Sequence, residues 1–68
     1  MKYDEGIEPL LTEYAAARIL GMSAAWLRRC RWAGTGPEYV RHARAVRYEP
    51  AAIRRWIEER RVQTEDGR

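Results

Sequence analysis

Leu20–Gly34, LGMSAAWLRRCRWAG, is the stretch whose reading decides the fold. Gly21 and Met22 mark a tight turn, because glycine reaches positive φ without a steric penalty. Ser23 is a good N-cap residue, since its hydroxyl oxygen can accept from an orphan N–H of the first turn. Gly34 supplies the matching stop. On a wheel of 100° per residue, Trp26, Leu27 and Cys30 share the inward side with Ser23 above them. Ala24, Ala25, Arg28, Arg29 and Trp32 lie outward. Leu27 reads as a core anchor and Trp26 as a lid on the core. Cys30 reads as a small buried apolar residue rather than a redox or metal group. Trp32 is a sizeable apolar patch facing out. It either packs on the following loop or hairpin, or touches a neighbouring protomer or a DNA backbone.

A helix opening after a tight turn needs a helix before it. Thr12 is an N-cap residue with Glu13 in the first turn, where a negative charge favours the helix dipole. The reciprocal capping box is missing, because Ala15 stands at its third position. The spacing predicts a helix over residues 13–20 ended by Gly21, with Ala16, Ile19 and Leu20 inward and Tyr14 and Arg18 outward. Small alanines on the inner face let a second helix come close.

Downstream, Gly34-Thr35-Gly36-Pro37 is the clearest turn signal in the chain. Alternation beyond it predicts a short two-stranded hairpin over residues 38–48, with Val40, Val46 and Tyr48 inward and Arg41 and Arg47 outward. Arg44 sits at the tip, where an arginine either enters a minor groove or is simply solvated. His42 is a lone histidine with no ligand pattern nearby, so a solvent or phosphate contact is its default role. Glu49-Pro50 opens a third helix. There Ile53, Trp56 and Ile57 form a core stripe, and Arg54, Arg55, Glu58, Glu59, Arg60 and Arg61 cover the outer face.

Sixty-eight residues suit one small domain, whose core supplies about 3–5 kcal/mol and leaves little room for a catalytic pocket. Cys30 is the single cysteine, which excludes an internal disulfide and a cysteine-rich zinc site. No apolar run approaches a membrane span, and the acidic start MKYDEGIEP is unlike a signal peptide. A cytoplasmic protein is expected. No Ser/His/Asp or Cys/His constellation, paired carboxylates or phosphate-cradling glycine loop is present. Neither an enzyme nor a cofactor or metal is therefore expected.

Charge is unevenly placed. Residues 1–13 set Lys2 against Asp4, Glu5, Glu8 and Glu13, a net of −3. Residues 18–47 set seven arginines against Glu38 alone, a net of +6. Residues 48–68 balance five arginines with five acids. Arginine's planar fork suits phosphates and guanine edges. An arginine-bearing helix after a tight turn is a device for reaching the major groove. The sequence thus points to double-stranded DNA.

The order helix, turn, helix, hairpin, helix is that of a winged helix-turn-helix, mainly α with a small β-hairpin. The run LT-x3-AA-x2-LGMS-x3-L (Leu11, Thr12, Ala16, Ala17, Leu20–Ser23, Leu27), the loop G-T-G-P-x-Y-V, the wing R-A-V-R-Y and the helix I-x2-W-I resemble the MerR-like excisionase and AlpA-type domains over about residues 10–60. Family members usually carry polar or basic residues at positions 24 and 25, Thr at 26, Trp at 30 and a glycine at the wing tip. This chain has Ala24, Ala25, Trp26, Cys30 and Ala43 there. Moving the aromatic from 30 to 26 keeps the core filled by one helical turn's displacement.

The resemblance implies an excisionase, or recombination directionality factor. Such proteins bind repeated sites beside an attachment site and bend the DNA so that an integrase excises the element. A small AlpA or MerR-like transcriptional regulator uses the same fold. A protein-interaction adaptor without DNA binding is the alternative from another class. The expected organisation is a mobile acidic arm over residues 1–9, the winged domain over 10–61 and a flexible tail over 62–68. The expected DNA contacts are Ser23, Ala24, Ala25, Arg28, Arg29 and Arg31 from the second helix, in the major groove. Arg41, His42, Arg44 and Arg47 come from the wing, in the minor groove, and Thr12 and Arg18 reach the backbone. With two alanines at its leading edge, the helix reads few bases. Affinity should then lean on phosphates, repeated sites and neighbouring protomers meeting through Trp32 or the termini.

Overall fold

The computed structural model describes residues 8–63. In chain order it contains β1 (Leu11–Thr12), α1 (Glu13–Leu20), α2 (Ala24–Ala33), β2 (Val40–His42), β3 (Ala45–Tyr48) and α3 (Pro50–Glu59). Of the expected arm and tail, residues 1–7 and 64–68 lie outside the described ones.

Both helices of the helix-turn-helix are bounded by local chemistry. Thr12 Oγ1 accepts from the Ala15 N–H at 3.1 Å, and Ser23 Oγ accepts from the Trp26 N–H at 3.0 Å. Each cap satisfies one orphan donor of its first turn, a contribution of about 1 kcal/mol. At the other ends Gly21 and Gly34 take left-handed φ values of 72° and 78°. The Met22 N–H then reaches the Ala17 carbonyl at 2.9 Å, and the Thr35 N–H reaches the Cys30 carbonyl at 2.8 Å. These are paired Schellman closures. Only Gly21, Met22 and Ser23 separate α1 from α2, which forces the two helices to pack as neighbours.

The core is small and shared by every layer. Ala16, Ala17, Leu27, Tyr48, Ala52 and Ile53 are buried, and Leu11, Leu20, Trp26, Val46 and Ile57 pack around them. Trp26 of α2 and Trp56 of α3 meet edge to face with centroids 6.0 Å apart, the geometry favoured by the ring quadrupoles. The stripe Ile53, Trp56, Ile57 faces inward as its spacing requires. Pro50 stands in the first turn of α3, where its missing N–H costs nothing.

Two inward expectations, Ile19 and Val40, are corrected. Ile19 is 55% exposed, and Ala17 takes the buried place on α1. The core side of this eight-residue helix is centred on Ala16, Ala17 and Leu20, and at 100° per residue Ile19 falls roughly 110° away from that centre. In the hairpin, Val40 pairs with Arg47 and Arg41 with Val46. Cross-strand partners share a face, so Val40 lies opposite to Val46 and Tyr48 and is exposed. By the same register Arg41 lies on the Val46 side, although still exposed, and Arg47 is half-buried. Finally, Trp32 is 90% exposed, so it packs on neither the loop nor the hairpin.

β1 is an addition that no periodicity announces. Leu11 pairs with Tyr48 and Thr12 with Arg47, giving a three-stranded antiparallel sheet of order β1-β3-β2. Two residues suffice to tie the start of α1 to the wing. At the wing tip Ala43 holds φ 56° where a glycine would be unstrained, at a cost of roughly 1–2 kcal/mol.

Candidate nucleic-acid interface

The arginines divide by partner. On α3 every arginine of the outer face has a carboxylate beside it. Arg54 reaches Glu8 and Arg55 reaches Glu38, each at 3.0 Å, Arg60 reaches Glu59 at 3.4 Å, and Arg61 pairs with Glu58. Arg60 also lies 4.1 Å over the Trp56 ring. Arg18, Arg29, Arg41, Arg44 and Arg47 have no carboxylate partner among the described residues. Exposed pairs add little stability, but they cancel field. The net positive potential therefore concentrates on α1, α2 and the wing.

Within α2, spacing separates two roles. Ala25, Arg29 and Trp32 follow one another at i, i+4 and i+7 along the outermost line, and all three are exposed. Arg28 and Arg31 flank that line on the side of α1 and the wing. Glu13, at the start of α1, holds both. Its Oε2 accepts from Arg28 Nη2 at 3.0 Å and Nε at 3.2 Å, and its Oε1 accepts from Arg31 Nη2 at 3.0 Å. Arg31 Nη1 also donates to the hydroxyl of buried Tyr48 at 3.0 Å. The Arg31 side chain is only 14% exposed. It pins α1, α2 and β3 together, so most of the guanidinium expected to face DNA is engaged inside the domain.

Burial pushes the Glu13 pKa up, but the hydrogen bonds from Arg31 and Arg28 outweigh it and hold the carboxyl below its usual value. A carboxylate depressed in the folded state contributes stability above its unfolded pKa, about 4.3. That contribution is lost as pH falls through the lower folded value. Glu13→Gln is therefore expected to lower stability at pH 7 by about 1–2 kcal/mol, because Arg31 keeps a weaker partner. The gap to the native protein should close as pH falls below about 4. Urea unfolding of both proteins at pH 7 and pH 3 checks this; an equal gap at both pH values would contradict it.

The remaining expected residues sit as follows. Ser23 and Thr12 cap their helices and retain a hydroxyl hydrogen to donate. Ala24 is half-buried and Ala25 exposed at the start of α2, while Arg18 is exposed in the last turn of α1. His42 and Arg44 are exposed at the wing tip, Arg44 in the two-residue turn. Arg41 lies 5.9 Å from the Tyr39 ring centre. Arg47 donates to the Val46 carbonyl at 2.9 Å. Between wing and helices runs a cleft of about 340 Å³ lined by Thr12, Glu13, Tyr14, Arg31, Arg44 and Arg47 among others. It brings Arg44 and Arg47 of the wing alongside Glu13 and Arg31.

Sequence reasoning gave Glu13 only a dipole role and missed its bridge. The available signal was Arg31 standing at i+4 from Leu27, on the edge of the inward side. Among the described residues, no cluster of three or more His, Cys, Asp and Glu side chains is placed to hold a metal ion, and no helix is long and apolar enough to cross a membrane.

A family model described as a helix-turn-helix domain matches residues 10–61. No match was found among curated proteins.

Proposed function

The chain belongs to the helix-turn-helix domain family, and on that premise we propose that it is a double-stranded DNA-binding protein of the excisionase type. Its α2 enters the major groove and its wing the minor groove. Neighbouring protomers occupy repeated sites, bend the DNA and thereby favour excision by an integrase. The observation that carries this reading is the division of the arginines. Arg54, Arg55, Arg60 and Arg61, on α3 and just past its end, are neutralised by carboxylates, whereas Arg18, Arg29, Arg41, Arg44 and Arg47 have no carboxylate partner among the described residues and are left to meet phosphates. Ser23, Ala25, Arg28 and Arg29 form the reading edge of α2. Arg41, His42, Arg44 and Arg47 serve the wing, with Thr12 and Arg18 on the backbone.

Trp32 supports the array. An indole 90% exposed at the end of the reading helix adds nothing to the core of its own protomer. Aromatic side chains are enriched where protein surfaces meet. Gel shifts on duplexes carrying one, two and three copies of a selected site test the reading. Laddered, cooperative shifts are expected with repeated sites. Trp32→Ala is expected to leave thermal stability within about 0.5 kcal/mol and to keep single-site affinity while abolishing the cooperativity. Equal cooperativity in Trp32→Ala would remove that contact from the account. A non-cooperative native protein would favour the regulator reading over the excisionase.

A further inference from the structure

We infer that Glu13 is the residue that sets base preference in this domain, acting as a positioning residue through Arg28. The inference rests on the DNA-binding reading above. Three observations meet at this carboxylate. First, both oxygens are engaged by arginines, Oε2 twice by Arg28 and Oε1 by Arg31, so Glu13 is spent on holding side chains rather than on reading a base. Second, it grips Arg28 by the side-on edge, through Nε at 3.2 Å and Nη2 at 3.0 Å, with the Tyr14 hydroxyl a further 3.4 Å from Nη2. The Nη1 amine takes no partner among the described residues, on a side chain 49% exposed. Third, the grip is itself anchored. Arg31 ties Glu13 to the hydroxyl of Tyr48, whose side chain is fully buried.

The chemistry of that arrangement is specific. A free arginine on a helix surface samples many rotamers and serves equally well on any phosphate. An arginine held at its inner edge has lost that freedom before binding. It presents its outer end, led by the unpartnered Nη1, and completes the fork that matches O6 and N7 of guanine when Nη2 gives up its long 3.4 Å contact with Tyr14. Glu13 also offsets one of the two positive charges that Arg28 and Arg31 bring, which lowers the long-range field at Arg28. Arg28 then contributes little to counterion release and much to discrimination. Arg29, Arg44 and Arg41, without carboxylate partners among the described residues, do the reverse.

This predicts opposite movements in two quantities that a structural defect would move together. Native protein and Glu13→Gln, each verified as folded by circular dichroism, are titrated with a randomised duplex and with the duplex selected by the native protein, across a salt series. The native protein is expected to prefer guanine at one position by about 10–100-fold. In Glu13→Gln that preference should fall to within about threefold. Affinity for the randomised duplex should rise several-fold, and the salt slope should steepen by about one, because one arginine is released to phosphates. Arg28→Lys keeps the Glu13–Arg31 anchor and should lose the same preference. Adding Glu13→Gln to Arg28→Lys should change the preference no further.

A guanine preference retained in Glu13→Gln would overturn the inference and leave the DNA-binding reading standing. So would parallel losses on both duplexes, or a native protein that binds with no base preference. Failure of the native protein to bind either duplex at low salt would overturn both.

Discussion

Gly36→Ala is expected to destabilise the domain by about 2–4 kcal/mol, which is most of what a fold of this size holds. Gly36 has φ 84°, where an L side chain is strained by about 1–2 kcal/mol. A Cβ added there would lie 2.7 Å from the Cβ and 3.3 Å from the Sγ of Cys30. Neither atom is the loose end of a long side chain, so the loop or α2 has to move, with an overpacking cost of about 1–3 kcal/mol. A gain of about 0.5–1 kcal/mol from the stiffer unfolded chain offsets part of this. The thermal midpoint should fall by roughly 10–25 °C. Gly34→Ala meets the φ penalty with no atom within 4 Å, and should cost about 1–2 kcal/mol. Equal losses for the two variants would show that the approach to Cys30 carries no weight.

The second large effect concerns binding. The double variant Arg29→Glu with Arg44→Glu is expected to weaken binding to any duplex by at least about 100-fold at low salt. The slope of log affinity against log salt should flatten by about two. One residue stands on the outer line of α2 and the other at the wing tip, and neither has a carboxylate partner among the described residues. Arg54→Glu makes the charge change of one of these reversals on α3, at a residue already paired with Glu8. It should change affinity by less than about threefold beyond the effect of net charge. If Arg54→Glu were as damaging as either reversal on α2 or the wing, the binding surface would have been placed on the wrong face.

Much of the fold was legible because its boundaries are local. Thr12, Gly21, Ser23, Gly34 and Pro50 each act within a few residues of themselves, and each stands where its chemistry requires. What was hidden depends on contacts between distant residues. β1 is two residues long, too short to show alternation, and exists because Leu11 and Thr12 find Tyr48 and Arg47. Val40 faces away from Val46 because the two-residue turn at Ala43 and Arg44 sets the register, and alternation along one strand does not reveal its phase against another. Ile19 lost its buried place to Ala17 because the partner elements meet the side of α1 centred between Ala16 and Ala17, and in a helix of eight residues the periodicity alone does not fix that centre.

The candidate site divides in the same way. The basic middle of the chain was visible in composition. That α3 neutralises its own arginines followed in part from the nearby Glu58 and Glu59, but the partners Glu8 and Glu38 lie 46 and 17 residues from theirs in sequence. Arg31 looked like its neighbours Arg28 and Arg29. Only the placement of Tyr48 and Glu13 turned it into a pin.

The measurement that bears most directly on the central claim is titration of the native chain with double-stranded DNA across salt, from about 50 to 300 mM, by fluorescence anisotropy. Saturable binding is expected at the low end, with log affinity falling linearly against log salt at a slope of about −4 to −5, as about five phosphate contacts require. Absence of binding at 50 mM salt, or binding with a slope near zero, would contradict it.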